Sequence, residues 1–324
     1  MSLISLIGGF AMNGSSPTLY FIAGVTAVGK TKIALEWAEA NHAEILSCDS
    51  ISIYRGMDIG SAKPSLKEQK RVSHHGINLY PVDKPCDVGQ YASYAQEKVR
   101  EIQQRGNAVL VVGGSGFYLQ SFFSPVVDQV EVPPQVREEV EFFYQENGLH
   151  ALCDRLLALN PIGLGDLDRL NPRRVIRALE RCIASGKSLK ELKDAFQKLP
   201  KPYPQFDKKV VWLDRENSDL EERISRRTQK MLDSGLLEET REILKYGLSK
   251  NSPASASIGY REAIACLGGE ISEAELGSKI NLSTRKLVSK QRKWFRKHLP
   301  AGSFITISQG KTLQLHNLLW ITDT

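Results

Sequence analysis

A short glycine-bounded segment near the amino end carries the residue types that bind phosphate groups. It reads Gly24-Val25-Thr26-Ala27-Val28-Gly29-Lys30-Thr31, which fits the pattern G-x-x-x-x-G-K-[ST]. Its glycines let the backbone turn so that successive N–H groups point inward, and the following helix adds the positive end of its dipole. Lys30 supplies a positive charge and Thr31 a hydroxyl for Mg²⁺. We call residues 24–31 the phosphate loop and predict that they cradle a polyphosphate-like group.

The residues expected of an ATP- or GTP-hydrolysing enzyme are incomplete. Such enzymes usually carry an acidic residue at the end of a later apolar strand, where it holds the metal ion. Here the apolar run 109–112 ends in Gly113-Gly114-Ser115-Gly116, and there is no N-K-x-D motif for guanine. Diphosphate as a leaving group therefore fits the loop better than a hydrolysed nucleotide. An ATP-dependent small-molecule kinase stays open as an alternative.

Asp49 is the acidic residue best placed to act beside the phosphate loop. It follows a predicted strand at residues 43–47, and open α/β sheets bind ligands at the carboxyl ends of their strands. A carboxylate there can hold Mg²⁺ or accept a proton. Aspartate is also common in turns and at helix starts, so a structural role is the alternative.

Alternating strands and helices must position these residues. Short apolar, β-branched or aromatic runs predict strands, and stretches with helical spacing of apolar residues predict helices. The predicted strands are 18–23, 43–47, 108–112 and 209–213, with helices at 32–41 and 92–105. This alternation predicts an α/β fold with a P-loop-containing, doubly wound parallel sheet.

The pattern changes to helices alone in the middle of the chain. These helices are predicted at 136–147, 150–159, 171–185 and 189–198, followed by prolines at 200, 202 and 204. We predict a flexible lead at 1–17, an α/β core at 18–122 and 204–324, and a helical insertion at 123–203. Within the core, further helices are predicted at 220–234, 237–246, 260–267 and 272–297.

Positive charge is concentrated near the carboxyl end. The chain has a net charge of +6, and residues 276–322 contain nine lysines and arginines but no aspartate or glutamate. A basic segment on a near-neutral body favours nucleic acid or a phosphorylated ligand, or it forms an ordinary solvated helix face. Trp294 and Phe295 within it either bind RNA or pack into the core.

The cysteines and the amino end bear on location. Five scattered cysteines form neither a disulfide framework nor a zinc-binding pattern, which favours a reducing cytoplasm. Residues 1–10 are mildly apolar, but they are too short to span a bilayer and lack the charged start of a signal peptide. Met12 is a second candidate start besides Met1. We expect a cytoplasmic monomer with no membrane contact.

Several segments, taken together, resemble the tRNA dimethylallyltransferase family, also called IPP transferases, in its bacterial form. The matching segments are 24–31, Asp49-Ser50, 54–64, His74-His75, 113–119, 171–180, 258–262 and 284–296. The resemblance covers about residues 18–300, and the order and spacing of the segments make it specific. The sequence departs from the usual family pattern at Val25, Val28, Ser115 and Asn78. None of these departures removes a group that the chemistry of the family requires.

The resemblance implies a reaction. The exocyclic amine of an adenosine, at position 37 of tRNA next to the anticodon, attacks the allylic carbon of dimethylallyl diphosphate, and diphosphate leaves. Residues 24–31 would bind the donor diphosphate with Mg²⁺ as cofactor on Thr31. Arg227 matches the family's diphosphate arginine, although a surface ion pair with Glu221 or Glu222 is its alternative. Asp49 would accept the proton, and Ser115 would help to orient the amine.

The resemblance also implies the residues that contact tRNA. These are Asp49, Ser50, Ile51, Ser52, Ser115, Arg137, Arg173, Arg174, Val175, Ile176, Arg177, Gly259, Tyr260 and Arg261. Two other acceptor assignments stay open: a transferase that uses free AMP or ADP, and a non-catalytic RNA-binding module. For His74 and His75 a structural role is favoured over metal binding, because neighbouring residues seldom bind one ion without further ligands.

Overall fold

The computed structural model describes residues 16–308, 311, 313, 318 and 320–322. The predicted lead therefore lies almost wholly outside the described residues. The chain divides into two compact units. One comprises the described residues up to Phe123 together with those from Tyr203 onward, and the other is Ser124–Pro202.

The first unit is built on one sheet. Its strands are β1 Thr18–Gly24, β2 Ala43–Cys48, β3 His74–His75, β4 Ala108–Gly113, β5 Asp207–Arg215, β6 Phe304–Ile307 and β7 Ile321–Thr322. The order is β3-β2-β4-β1-β5-β6, with every pair along this path parallel, and β7 pairs antiparallel with β5. The four predicted strands are confirmed, and so is the doubly wound parallel sheet.

The helices follow the strands in alternation and then dominate the later chain. They are α1 Lys30–Ala40, α2 Leu66–Arg71, α3 Val88–Gln104, α4 Gly116–Gln120, α5 Pro134–Ala158, α6 Pro172–Ser185, α7 Leu189–Gln197, α8 Asn217–Asp233, α9 Leu236–Lys245, α10 Ser252–Ser255, α11 Tyr260–Leu267 and α12 Glu273–His298. A 3₁₀ turn covers Leu248–Lys250. Every predicted helix is confirmed, with ends that differ by a few residues.

The central strands are apolar because both faces of the sheet are covered. Leu19, Phe21 and Ile22 on β1 are fully buried, as are Leu110 and Val111 on the neighbouring β4. Parallel strands buried on both faces produce continuous apolar runs, which is the signal in the sequence. Because β1, β2 and β4 all end at the same edge, the phosphate loop, Asp49 and Gly113 emerge there together.

The second unit is a small helical body with its own core. Helix α5 is interrupted at Gly148, whose φ of 75° and ψ of −178° are not helical, so the two helices predicted there are distinct segments. Val140, Leu152 and Leu156 of α5 pack with Val175 and Leu179 of α6 in one buried cluster. The strong apolar face of α6 is therefore explained by packing within this unit.

Two observations concern the predictions about membrane contact and cysteine pairing. None of the helices among the described residues combines the length and the apolar character needed to cross a bilayer. The five cysteines are all free, and Cys48, Cys86 and Cys182 are buried.

Candidate active site

The phosphate loop adopts a tight turn between β1 and α1. Gly29, at the start of α1, has a φ of 103°, which favours glycine, and Ala27 also lies in the left-handed region with a φ of 62°. Val25 and Val28 are fully buried. The two departures from the family pattern thus pack into the core, and Thr26, Ala27 and the loop backbone are left to line the adjoining cavity.

The Lys30 ammonium is hydrogen-bonded to the backbone of the phosphate loop. Its Nζ donates to the carbonyl oxygens of Gly24 at 2.8 Å and Val25 at 2.9 Å. Burial, assisted by the nearby positive charge of Arg227 and opposed by Asp49, lowers the pKa of Lys30 to about 8. The attraction of Asp49 is therefore too weak to offset the cost of burying the Lys30 ammonium. A bound anion would stabilise this charge.

Three arginines hold the same loop from the β5–α8 side. Arg215 Nε donates to the Val28 carbonyl at 2.8 Å, and Arg223 Nε donates to the Ala27 carbonyl at 2.7 Å. Arg227 Nη1 donates to the Thr26 hydroxyl at 3.2 Å. Burial lowers the pKa of both Arg223 and Arg227 from the usual arginine range. These groups concentrate positive charge at the phosphate loop.

The surface ion pair considered for Arg227 does not form. Glu222 pairs instead with Arg226, one residue earlier on α8. Arg227 faces the loop, and its Nη2 also lies 3.5 Å from the Ser61 carbonyl oxygen. Sequence reasoning missed Arg215 and Arg223, whose partners are 187 and 196 residues away, so no local pattern could have indicated them.

Asp49 begins a tight turn at the end of β2, which we call the acidic turn (residues 49–52). Its Oδ1 accepts from the backbone N–H of Ile51 at 2.8 Å and of Ser52 at 3.2 Å. Its other oxygen has no hydrogen-bond partner among the described residues. One oxygen thus fixes the turn, as the structural interpretation of Asp49 predicts, and its functional role stays a prediction.

Ser115 braces the acidic turn from the neighbouring strand end. The Ser50 N–H donates to Ser115 Oγ at 3.1 Å, and Ser115 Oγ lies 3.4 Å from Ser50 Oγ. Ser52 is buried, and its hydroxyl lies 3.1 Å from that of Ser47. In the part of the chain that the structure describes, the Ser115 hydroxyl is thus engaged with the turn that carries Asp49.

Glycines are required where the strand ends approach one another. A Cβ on Gly113 would lie 2.0 Å from the Cys48 carbonyl oxygen, and one on Gly116 would lie 2.5 Å from the Trp294 ring. We call residues 113–116 the glycine loop. This loop contacts α12, where Trp294 and Phe295 were expected either to bind RNA or to pack into the core. Phe295 is fully buried in the core, whereas Trp294 packs on Gly116 and lines the cavity.

One cavity of about 1210 Å³ adjoins the phosphate loop, the acidic turn and the glycine loop. The lysines and arginines that line it are Lys30, Lys63, Arg223, Arg226, Arg227, Lys230 and Lys290. Asp49 supplies the one carboxylate among the described residues that line it. Ile224, Met231, Ile280 and Leu287 provide apolar surface. The cavity can hold an anionic group at one point, an apolar group beside it and a planar acceptor near Asp49.

Tyr260 and Arg261, at the start of α11, differ in exposure. Tyr260 is fully buried, and its hydroxyl donates to Glu239 Oε1 at 2.6 Å. The same carboxylate accepts from the backbone N–H groups of Asp58, Ile59 and Gly60 at 2.8–3.1 Å. The Tyr260 ring is thus not available for stacking on a base. Arg261 is exposed and pairs with Glu262.

The predicted tRNA contacts between residues 124 and 202 lie in the second unit. Arg137, Arg173, Arg174 and Arg177 are exposed there. Arg174 pairs with Asp168 at 3.6 Å, and Arg177 pairs with the buried Glu180 at 2.8 Å. Val175 is fully buried in the core of the unit, so its side chain packs rather than contacts a ligand. Ile176 also packs against that core.

The paired histidines form a short edge strand. His74 Nδ1 bonds to the Val72 carbonyl at 2.8 Å, and burial lowers the pKa of His74. His75 Nε2 lies 2.5 Å from Glu44, whose pKa is lowered to about 2, chiefly by its bond to Arg105. The two rings have separate partners, which agrees with the structural role favoured for them.

The residues at the phosphate loop fit a Mg²⁺ ion that is shared with a bound ligand. The described residues contain no group of three or more His, Cys, Asp or Glu side chains that could hold an ion on their own. Mg²⁺ often keeps several waters and binds through one or two protein oxygens together with substrate phosphates. Thr31 is exposed and lines the cavity, so its hydroxyl fits the role of one protein ligand to an ion shared with a bound diphosphate.

The parallel sheet and the phosphate loop define an α/β protein of the P-loop fold class, with a basic cavity that a single carboxylate lines among the described residues. The family model described as IPP transferase matches residues 52–298. The chain belongs to the IPP transferase family, which confirms the resemblance inferred from the motifs.

Individual relatives agree with this membership. A tRNA dimethylallyltransferase of Opitutus terrae is 49% identical over 292 residues, which cover 89% of this chain and 94% of that protein. One of Salinibacter ruber is 36% identical, covering 88% of this chain and 86% of the relative. The solved structure of the tRNA isopentenylpyrophosphate transferase from Bacillus halodurans superposes with a TM-score of 0.64 at 29% identity. That match covers 90% of this chain and 89% of the other.

Proposed function

We propose that this protein transfers a dimethylallyl group from dimethylallyl diphosphate to the exocyclic amine of adenosine 37 of tRNA, releasing diphosphate. One observation carries the proposal. The Asp49 carboxylate, with one oxygen free of partners among the described residues, lines the same cavity as the phosphate loop and Arg227. Relatives that align over most of the chain bear the name tRNA dimethylallyltransferase.

The donor diphosphate binds at the phosphate loop. Backbone N–H groups at the start of α1, Lys30 and Arg227 stabilise the negative charge that grows on the leaving group. Thr31 would hold Mg²⁺, which would neutralise further charge on the leaving group. The apolar cavity wall, including Ile224 and Met231, receives the five-carbon chain.

The acceptor amine reaches the donor from the side of the acidic turn. Its lone pair forms the new bond to the allylic carbon, and the electron pair of the broken carbon–oxygen bond leaves with diphosphate. The amine is a weak nucleophile because its lone pair is delocalised into the ring. Asp49 accepts a hydrogen bond from the amine and then its proton, while Ser115 holds the acidic turn in place. Positioning and leaving-group stabilisation supply the rest.

The base must leave its stack to enter this cavity, so the surrounding RNA needs its own binding surface. Basic residues are available for it on the exposed face of α12 and on the second unit, where Arg137 and Arg173 are exposed. We place the reaction in the cytoplasm and assign it to a monomer. Reducing conditions there agree with cysteines that are all free.

Radiolabelled dimethylallyl diphosphate tests the proposal most simply. The protein is incubated with Mg²⁺ and one of three acceptors: unmodified tRNA, the same tRNA with guanosine at position 37, and AMP. Label is expected in the first acceptor alone. Label in AMP but not in tRNA would assign the protein to the free-nucleotide transferases. ATP turnover without tRNA would favour a small-molecule kinase.

A further inference from the structure

Gln291 on α12 joins two loops of the site through one side-chain amide. The backbone N–H of Thr26 donates to Gln291 Oε1 at 2.9 Å. Gln291 Nε2 donates to the Gly114 carbonyl oxygen, also at 2.9 Å. Thr26 belongs to the phosphate loop and Gly114 to the glycine loop, so the amide spans the gap between them. Both of its ends are satisfied by protein groups of opposite hydrogen-bonding type, which an amide can meet and a carboxylate cannot.

The fit around this amide is close. A Cβ on Gly114 would lie 2.7 Å from Gln291 Nε2 and 2.9 Å from the Gly24 carbonyl oxygen. The glycine loop therefore lies directly against both α12 and the phosphate loop. Small changes in the length or hydrogen bonding of residue 291 would alter the separation of the two loops, because there is little space to absorb them.

Each loop then holds a different part of the proposed reaction. On one side Thr26 accepts from Arg227, within the site for the leaving diphosphate. On the other, Ser115 follows Gly114 directly and binds Ser50 of the acidic turn, which carries Asp49. The separation between the two loops thus sets the distance between the diphosphate and the proton acceptor.

We propose that Gln291 is a positioning residue, which fixes the donor site relative to Asp49 so that the acceptor amine is aligned with the allylic carbon. The inference rests on the proposed transfer reaction and adds a residue to it. Displacement by about 1 Å can lower a reaction rate roughly 100-fold even where binding is retained. Losing Gln291 should therefore slow the chemical step more than it weakens donor binding.

Helix α12 has other anchors, so it should stay in place when Gln291 is changed. Arg292 forms two bonds to the Asp214 carboxylate, at 2.8 and 2.9 Å. Phe295 is fully buried and packs on Trp212 with ring centroids 5.4 Å apart. Substitution of Gln291 by methionine keeps the length of the side chain and removes both hydrogen bonds.

The test compares wild type, Gln291→Met and a control, Gln229→Met. Gln229 lies on α8 and bonds to the exposed Asp233 instead of the site. Single-turnover transfer from saturating labelled dimethylallyl diphosphate to saturating tRNA is measured, together with donor affinity at equilibrium. For Gln291→Met we expect a rate roughly 100-fold lower, with donor affinity within about threefold of wild type. The control should match wild type in both.

A second comparison covers the case in which the methionine variant folds poorly. Gln291→Glu keeps an acceptor for the Thr26 N–H but places an oxygen against the Gly114 carbonyl, so its rate should also fall. If either folded variant transfers at the wild-type rate, or if its rate and donor affinity fall in parallel, the inference is overturned. If the wild-type protein itself fails to label tRNA, the proposed function is overturned. If the wild type labels tRNA and only the expected effect of the Gln291 variants is absent, the inference about Gln291 alone is overturned.

Discussion

Arg227 Nη1 donates a hydrogen bond to Thr26 Oγ1 over 3.2 Å, joining α8 to the phosphate loop across 201 residues. Nη2 lies near the Ser61 carbonyl at 3.5 Å, so the guanidinium is oriented from two sides before any ligand binds. An oriented guanidinium can bind two phosphate oxygens at once. Preorganised charge of this kind lowers the cost of binding an anion.

Replacing Arg227 by glutamine should weaken binding of dimethylallyl diphosphate. Hydrogen bonds to a charged group contribute about 1.5–3 kcal/mol, which corresponds to roughly 10- to 150-fold in affinity. Equilibrium binding of the labelled donor measures the change. Arg241→Gln is the matched control, because Arg241 is an exposed arginine on α9 that lies outside the cavity. Equal donor affinity in both variants would show that Arg227 does not contribute to donor binding.

Lys30 predicts a pH dependence of donor binding. Its pKa of about 8 means that the free protein holds a cation at pH 7 and loses it as the pH rises. A bound diphosphate favours the protonated form, so donor affinity should be highest below pH 8 and fall above it. From pH 7 to pH 9 we expect a loss of about tenfold. Titration calorimetry over this range measures it, and a Lys30→Met variant should lose this part of the dependence.

Much of the fold could be predicted because its signals are local. The buried strands β1 and β4 are continuous apolar runs, and long helices such as α12 show the spacing of a buried face. Helix α2 was missed because it buries no residue and is defined by a capping box between Ser65 and Glu68. Strand β3 was missed because two residues at a sheet edge carry almost no pattern.

The candidate site could be predicted only where motifs are contiguous. The phosphate loop and Asp49 were found this way, whereas Gln291 contacts Thr26 across 265 residues and gives no local signal. Tyr260 shows the opposite difficulty. Its motif indicated a functional position, but the structure buries the ring and assigns its hydroxyl to Glu239. A motif can indicate that a residue is important, but contacts between distant segments determine the role of that residue.

Gly113 should tolerate no side chain. In Gly113→Ala the new Cβ would lie 2.0 Å from the Cys48 carbonyl oxygen, so β4 and β2 must move apart. Overpacking usually costs about 1–3 kcal/mol, and backbone is less able to yield than a side chain, so we expect about 3 kcal/mol or more. Urea unfolding measures the free energy of unfolding. Gly277→Ala on α12 meets only Leu232 at 3.4 Å and should be neutral or slightly stabilising.

Arg173 offers a cleaner test of RNA binding by the second unit than Arg177 does. Arg173 is exposed, whereas Arg177 pairs with the buried Glu180, which its removal would leave without that partner. Arg173→Ala should weaken tRNA binding and reduce the slope of log affinity against log salt by about 0.7–0.9. Filter binding at several salt concentrations measures both. An unchanged slope would make Arg173 ordinary surface.

In the proposed reaction the phosphate loop binds the donor, and Asp49 accepts the proton from the acceptor amine. Asp49→Asn separates these functions, because asparagine keeps an oxygen for the N–H groups of Ile51 and Ser52 but replaces the charged second oxygen with an NH₂ group that cannot accept a proton. The acidic turn should therefore stay folded, which Asp49→Ala would not ensure.

Single-turnover transfer of labelled dimethylallyl diphosphate to tRNA by Asp49→Asn is the most direct measurement. Removal of a general base costs about 100- to 10,000-fold in rate, so we expect a loss in this range with donor affinity close to that of wild type. Transfer at the wild-type rate would contradict the role of Asp49. A variant that fails to bind the donor would show instead that Asp49 belongs to the diphosphate site.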